Sequence, residues 1–158
     1  MLSNLITDRT LSDFTRWLYL RDKGYANMTA SEREEWAADM KGSYNASDLN
    51  RVGAVLNYLR DRLVEASYLT GKEFSMRENW QKNEIPEASE FREYINAVET
   101  IREAMSQKLT TPPTPENNGS LDYQGANNIE QILLDIDELI TNMLKSRYFI
   151  GELFSGEI

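Results

Sequence analysis

Apolar residues recur at alternating steps of three and four along much of this chain, the spacing that places side chains on one face of an α-helix. Four stretches carry the pattern: Leu11, Phe14 and Leu18; Leu49, Val52, Leu56, Leu59, Leu63 and Ala66; Phe91, Tyr94, Val98, Ile101 and Met105; and Ala126, Ile129, Leu133, Ile136, Ile140 and Met143. We therefore predict four moderate or long helices, each of which buries one apolar stripe.

Polar residues indicate where these helices begin. The first helix should start near Thr10, whose hydroxyl can cap the first turn while Asp13 favours the positive end of the helix. The sequence Thr29-Ala30-Ser31-Glu32 has the spacing of a capping box and predicts a short additional helix. Ser47 is the expected cap of the next helix, and the last helix should run from about Asp122 to Arg147.

The two halves of the chain match at an offset of 77 residues. Ser12-Asp13-Phe14 aligns with Ser89-Glu90-Phe91, and Asn50-Arg51-Val52 aligns with Asn127-Asn128-Ile129. We interpret the match as a degenerate duplication of a helical hairpin; the alternative is two amphipathic helices that share a heptad phase. The predicted fold is an all-α, antiparallel helical bundle of about five helices. It forms a single domain over 1–158, with one repeat unit at about 7–67 and the other at about 84–144.

The last ten residues form a small repeat, Phe149-Ile150-Gly151-Glu152-Leu153 followed by Phe154-Ser155-Gly156-Glu157-Ile158. Glycine disfavours a helix, and the flanking aromatic and aliphatic residues favour extended backbone. We predict an extended C-terminal tail over 149–158. Three outcomes stay open: packing on its own bundle, strand addition to a neighbouring copy or partner, and disorder. The predicted partner contacts are Phe149, Leu153, Phe154 and Ile158.

The composition of the chain excludes several classes of function. The 158 residues carry a net charge of −9, which repels nucleic-acid phosphates and anionic membranes. Neither cysteine nor histidine is present, so thiolate nucleophiles, zinc–thiolate sites and Ser-His-Asp triads are excluded. No apolar run approaches the roughly 20 residues of a membrane span, and the first residues do not resemble a secretory signal. We predict no enzymatic activity, no cofactor or metal, no nucleic-acid or membrane partner, and synthesis in a bacterial cytoplasm.

Two sets of polar residues are candidates for a site. Glu130, Asp135, Asp137 and Glu138 could together bind Mg²⁺ or Ca²⁺, but the last helix has no recognisable metal motif and a solvated face is the favoured interpretation. Asn50 and Asn127 are paired by the duplication in the first turns of two core helices. We predict that their amides anchor nearby loop backbone; binding of a ligand is the alternative.

The three tryptophans could form a stacking surface for bases or sugars. Trp17 and Trp36 lie on the apolar sides of their predicted helices, so core packing is the favoured role for both. Trp80 lies in an irregular stretch and is the tryptophan that we expect to be exposed.

Several phrases of the chain resemble an uncharacterised group of proteins from phages and prophages of Gram-positive gut bacteria, usually encoded among tail or other minor virion genes. The phrases are Ile6-Thr7-Asp8-Arg9-Thr10, Gly24-Tyr25-Ala26-Asn27-Met28-Thr29, Glu35-Trp36, Met40 to Val52, Ile129 to Asp135 and Ser155-Gly156-Glu157-Ile158. The resemblance implies a virion, or its assembly, as the context. It implies no activity and no catalytic residue.

We therefore predict a non-catalytic structural or adaptor protein of a phage or prophage tail. Its partners would be other protein subunits, either copies of itself in a homo-oligomer or virion components, and it would pass from the host cytoplasm into the virion. The alternative is a small helical regulator that binds a host protein. A carboxylate-dependent hydrolase is a third, weaker hypothesis.

Overall fold

The computed structural model describes residues 2–104, 111–116 and 121–155, with the backbone alone described from 147 onward. Five α-helices follow in order: α1 Leu11–Lys23, α2 Ala30–Ala37, α3 Ala46–Glu65, α4 Ala88–Ala104 and α5 Tyr123–Ser155. The described ranges contain no strand, so the predicted all-α class is confirmed. Among those ranges, no helix has the length and apolarity needed to cross a membrane.

The predicted helix starts are largely correct. Thr10 caps α1 and Thr29 caps α2, each in a reciprocal capping box with the residue three positions later. The prediction of Ser47 as the cap of α3 was wrong. Asn45 takes that role, because its side-chain oxygen accepts from the Ser47 and Asp48 amides while the Asp48 carboxylate accepts from the Asn45 amide at 2.9 Å.

The core is formed by α3, α4 and α5, which pack against one another, whereas α1 packs chiefly on α2 and on the short turn Tyr25–Asn27. Most members of the apolar stripes that the sequence predicts for these three helices are buried. Phe91 and Met143 are half-buried against the core, and Met105 lies outside the described residues. Their fully buried members include Val52, Leu56, Leu59, Leu63, Val98, Ile101, Ile129, Leu133 and Ile136. The stripe spacing thus predicted the core correctly.

The helices α3 and α5 run in the same direction. Arg51 near the start of α3 contacts Glu130, and Arg62 near its end contacts Asp137 and Thr141. Apolar spacing identifies which faces are buried, but it contains no information about the path that a long connection takes between two helices.

After α3, the chain returns along this helix before α4 begins. Residues 74–80, here called the strap, run back along α3 from its end toward its start. Asn57 donates to the Met76 carbonyl and accepts from the Met76 amide, both at 2.8 Å. Arg60 donates to the Phe74 carbonyl at 2.8 Å. Gly53 lets the strap approach closely, because a Cβ atom there would lie 2.6 Å from the Arg77 carbonyl oxygen.

The helix starts repeat with the spacing of the two sequence halves. The helices α1 and α4 begin at residues 11 and 88, and α3 and α5 begin at residues 46 and 123. Both pairs are 77 residues apart, which is the offset of the sequence match. The short helix α2 has no counterpart at 111–114, where the backbone is not helical. The spacing of the helix starts therefore agrees with the interpretation of an internal duplication, with no helix at 111–114 in the second unit.

The predicted extended tail is wrong for residues 149–155, whose backbone continues α5 as far as Ser155. A glycine inside a helix costs only about 1 kcal/mol. Extending an existing helix gains one hydrogen bond for each residue that is fixed, so Gly151 is tolerated. Residues 156–158, including the predicted contact Ile158, lie outside the described part of the chain.

Candidate functional site

Four charged residues form a buried cluster between the first residues of the chain, α3 and α5. Arg9 is 4% exposed, Asp48 is 3% exposed and Glu130 is completely buried. Arg51 completes the cluster, with its side chain 16% exposed. Buried charges are costly unless they are paired and hydrogen-bonded, so this cluster is the most unusual feature of the interior.

The two arginines and two carboxylates pair with one another. Arg9 Nη2 donates to Glu130 Oε1 at 2.6 Å and to Asp48 Oδ1 at 2.8 Å. Arg51 Nη2 donates to Glu130 Oε1 at 2.9 Å and also to the Asp48 carboxylate. Burial lowers the pKa of Arg51, but hydrogen bonds to Glu130 and Asp48 outweigh it, so the pKa lies above its ordinary value. The cluster is electrically balanced only while both arginines are present.

The cluster also holds the backbone of residues 2–9, here called the leader. The Ile6 amide donates to Glu130 Oε2 at 2.5 Å, and Arg9 Nη1 donates to the Ile6 carbonyl at 2.6 Å. Leu2 and Leu5 pack against the core. The leader is thus fixed by charge, by backbone hydrogen bonds and by apolar contact.

Asn50 and Asn127 both bind the backbone of an extended segment, the anchoring role predicted for them. Asn127 accepts from the Arg9 amide at 3.0 Å and donates to the Arg9 carbonyl at 2.9 Å. Asn50 accepts from the Trp80 amide at 2.6 Å and donates to the Trp80 carbonyl at 2.9 Å. Each asparagine therefore holds the segment that leads into the first helix of the other repeat unit.

The sequence analysis did not predict the role of Asn57, whose side chain binds the backbone N–H and C=O of Met76 in the same way. The duplication aligns Asn57 with Leu134, so the alignment of the two halves does not single out Asn57. A spacing signal was present, because Asn50 and Asn57 are seven residues apart and so lie on one face of a helix. An extended segment along that face could have been predicted from this pair.

The predicted solvated acidic face on α5 is wrong for two of its members. Glu130 is completely buried, and Asp137 pairs with Arg62. Periodicity places Glu130 beside the apolar stripe, but the arginine that covers it lies 121 residues earlier in the chain. Across the described ranges, no group of three or more acidic residues has a geometry that could hold a metal ion.

The tryptophans do not form one surface. Trp17 and Trp36 are half-buried and line an open cleft between α1, α2 and the start of α3. Trp80, predicted to be exposed, is half-buried against the core, and the Arg77 guanidinium lies 4.2 Å from its ring centre. The strap positions Trp80, because Asn50 binds both polar groups of its backbone.

Tyr44 and Tyr94 share a hydrogen bond between their hydroxyl groups close to the buried cluster, where the Arg9 guanidinium lies 5.6 Å from the Tyr44 ring centre. Burial raises the pKa of Tyr44, and the nearby Glu130 charge adds to the shift. Burial likewise raises the pKa of Tyr94 well above its ordinary value. Both hydroxyl groups therefore stay protonated in the folded protein at alkaline pH.

The raised pKa values of Tyr44 and Tyr94 predict that alkaline pH destabilises the folded protein. Because the folded pKa values are raised, the contribution of the two tyrosines to stability is complete below about pH 9 and is lost as the pH rises past about 10, the pKa of tyrosine in the unfolded chain. The Tyr44→Phe/Tyr94→Phe variant should show a shallower fall in the free energy of unfolding between about pH 9 and 11. Urea unfolding at several pH values measures the slope.

Tyr25→Phe provides the control, since it removes an exposed tyrosine outside this pair. Near neutral pH, Tyr94→Phe alone should cost about 1–3 kcal/mol, because it leaves the Tyr44 hydroxyl without its partner, whereas the double substitution should cost less. Equal slopes for the double variant and the unmodified chain would contradict the raised pKa values of Tyr44 and Tyr94.

The end of α5 extends beyond α3. Arg62, three residues before the end of α3, contacts Asp137 and Thr141, so α3 ends level with about residue 144. The helix α5 continues to Ser155, and its last eleven or so residues extend about 16 Å past α3. The predicted contact residues Phe149, Leu153 and Phe154 belong to this extension.

Comparison of the chain with protein-family models, with curated proteins and with solved structures found no match in any of the three.

Proposed function

We propose that this chain is a non-catalytic structural or adaptor protein of a phage or prophage tail or virion, acting through protein–protein contacts. The extension of α5 past α3 is the observation that carries the proposal. It presents a helix about three turns long beyond the level at which its neighbour ends. A helix end that reaches past its neighbouring helix is suited to packing against another subunit.

The sequence of the extension suits such a contact. Four of its residues between 149 and 154 are aromatic or aliphatic, namely Phe149, Ile150, Leu153 and Phe154. Phe149 and Leu153 are four residues apart, as are Ile150 and Phe154, a spacing that helix-in-groove contacts use. The proposed contact is therefore a helix packed against a partner rather than an added strand.

The chemistry of the interior agrees with a structural role. Asp48, Glu130, Arg9 and Arg51 are engaged with one another and with the leader backbone. Groups of this kind perform catalysis when a substrate can reach them, whereas these groups join three segments of the chain. The resemblance of the sequence phrases to tail-region proteins supplies the phage context.

The proposal is tested by the mass of the full chain in solution. The Phe149→Gln/Leu153→Gln/Phe154→Gln variant keeps the helix length and removes the apolar groups, so an oligomer formed by the full chain should become a monomer. Light scattering after size exclusion measures the mass, and circular dichroism checks that the helix content is kept. Mass spectrometry of particles produced by the encoding bacterium should then find the chain in the virion.

The matched control is Glu138→Gln/Asn142→Gln/Lys145→Gln, which changes three exposed residues earlier on α5. It should leave the oligomer intact. Monomers for both the unmodified chain and the variant would contradict self-assembly through α5. A stoichiometric host protein captured by a monomeric chain would favour the alternative, a small helical regulator.

A further inference from the structure

We propose that two copies of this chain can exchange their leaders, so that Arg9 of one copy completes the buried cluster of the other. The exchange uses the leader and the groove between α3 and α5, not the end of α5. It therefore stands or falls independently of the proposed phage context.

The groove is incomplete without a leader. Asp48 and Glu130 would retain Arg51 as their cationic partner, leaving a buried excess of negative charge. Glu130 Oε2 would lose its hydrogen bond from the Ile6 amide. The Asn127 side chain would lose its hydrogen bonds with the backbone N–H and C=O of Arg9. An empty groove therefore selects a segment with an arginine at one defined position in extended backbone, and the leader of a second copy has that chemistry.

The chain already exchanges segments between its own repeat units. Asn127 of the second unit holds Arg9, which leads into the first unit, while Asn50 of the first unit holds Trp80, which leads into the second. The two contacts differ in register, since Arg9 precedes α1 by two residues and Trp80 precedes α4 by eight. Both contacts show that an asparagine on a core helix can bind the backbone of a segment from the other repeat unit.

The part of the chain that would move is partly self-contained. Thr10 ties the end of the leader to α1 through its capping box, and α1 packs chiefly on α2. Residues 38–45 connect this part to α3, and Gly42 within them packs against the Asp13 backbone of α1. Opening at residues 43–45 would let the leader, α1 and α2 move together without disturbing that contact.

Exchange of the leaders would leave the contacts of the buried cluster nearly unchanged. The same Arg9, Asp48 and Glu130 atoms pair in the closed and the exchanged forms, so the balance depends on chain concentration and on the connection at 38–45. If the leaders of two copies are exchanged reciprocally, the product is a closed dimer. If each leader docks on the next copy, the product is an open chain of subunits.

The test uses two full-length variants with complementary defects, both carrying the three glutamine substitutions at 149, 153 and 154 to remove contacts through α5. Glu130→Gln keeps a normal leader but has a damaged groove, and Arg9→Ala keeps a normal groove but has a damaged leader. Each is refolded alone, and the two are refolded together at high concentration. Light scattering and native mass spectrometry then measure the species.

We expect the mixture to contain a 1:1 heterodimer, with twice the 18.3 kDa chain mass, at a level at least about tenfold above either variant alone. The control mixture pairs Arg9→Ala with Arg9→Ala/Glu130→Gln, which provides no intact leader, and should stay monomeric. If Glu130→Gln does not fold, Asn127→Ala replaces it, since that change leaves the charges in place. A mixture that contains no more heterodimer than the control would overturn the proposal.

Discussion

Replacing Arg9 by alanine should lower the free energy of unfolding by about 3–5 kcal/mol. The guanidinium of Arg9 contacts both Asp48 and Glu130 in an environment with almost no solvent access, so its removal leaves a buried negative charge without compensation. The substitution also removes the hydrogen bond that Arg9 Nη1 donates to the Ile6 carbonyl. The leader should therefore become accessible to proteases as the protein loses stability.

Urea unfolding followed by circular dichroism measures this loss. Arg16→Ala is the matched control, because Arg16 forms an ion pair with Glu35 in which both side chains are about 40% exposed. Exposed pairs of this kind contribute about 1 kcal/mol or less. Similar losses for Arg9→Ala and Arg16→Ala would show that the buried cluster is not a main source of stability.

Replacing Gly42 by alanine should cost about 3 kcal/mol, the upper end of the usual range for overpacking. A Cβ atom on Gly42 would lie 2.0 Å from the Asp13 carbonyl oxygen and 2.4 Å from the carbon bonded to it. These atoms belong to the first turn of α1, which the capping box of Thr10 and Asp13 holds in place. Neither backbone can move aside without breaking that turn.

Thermal and urea unfolding of Gly42→Ala test this expectation. Lys41→Ala is the control in the same connection, since Lys41 contributes an exposed ion pair with Asp8 and should cost less than about 1 kcal/mol. A stable Gly42→Ala variant with an unchanged melting temperature would show that the connection after α2 can move away from α1.

The sequence predicted the parts of the fold that depend on local spacing. The stripes of Leu56 and Leu133 are buried as periodicity requires, and Thr10 and Thr29 cap helices because a hydroxyl three residues before a carboxylate satisfies two backbone amides. The pairing of Asn50 with Asn127 by the duplication singled out two helical residues whose side chains bind extended backbone in the structure.

The parts that sequence reasoning missed depend on contacts between distant segments. Glu130 is a carboxylate beside an apolar stripe, and nothing in its own helix shows that Arg9 will cover it. The return of the chain along α3 depends on the strap, whose path is set by Gly53 and by hydrogen bonds of Asn57. Gly151 suggested a helix end, yet helical propagation through the neighbouring residues outweighs the preference of one glycine.

The leader contacts have a consequence for the order of events during synthesis. Ile6 and Arg9 are synthesised before Asn127 and Glu130, which bind them and lie more than 115 positions later in the chain. Because contacts between such distant residues require a large loop to close, folding should be slower than for a helical bundle with local contacts. Ile6 and Arg9 therefore cannot reach these partners until α5 has left the ribosome.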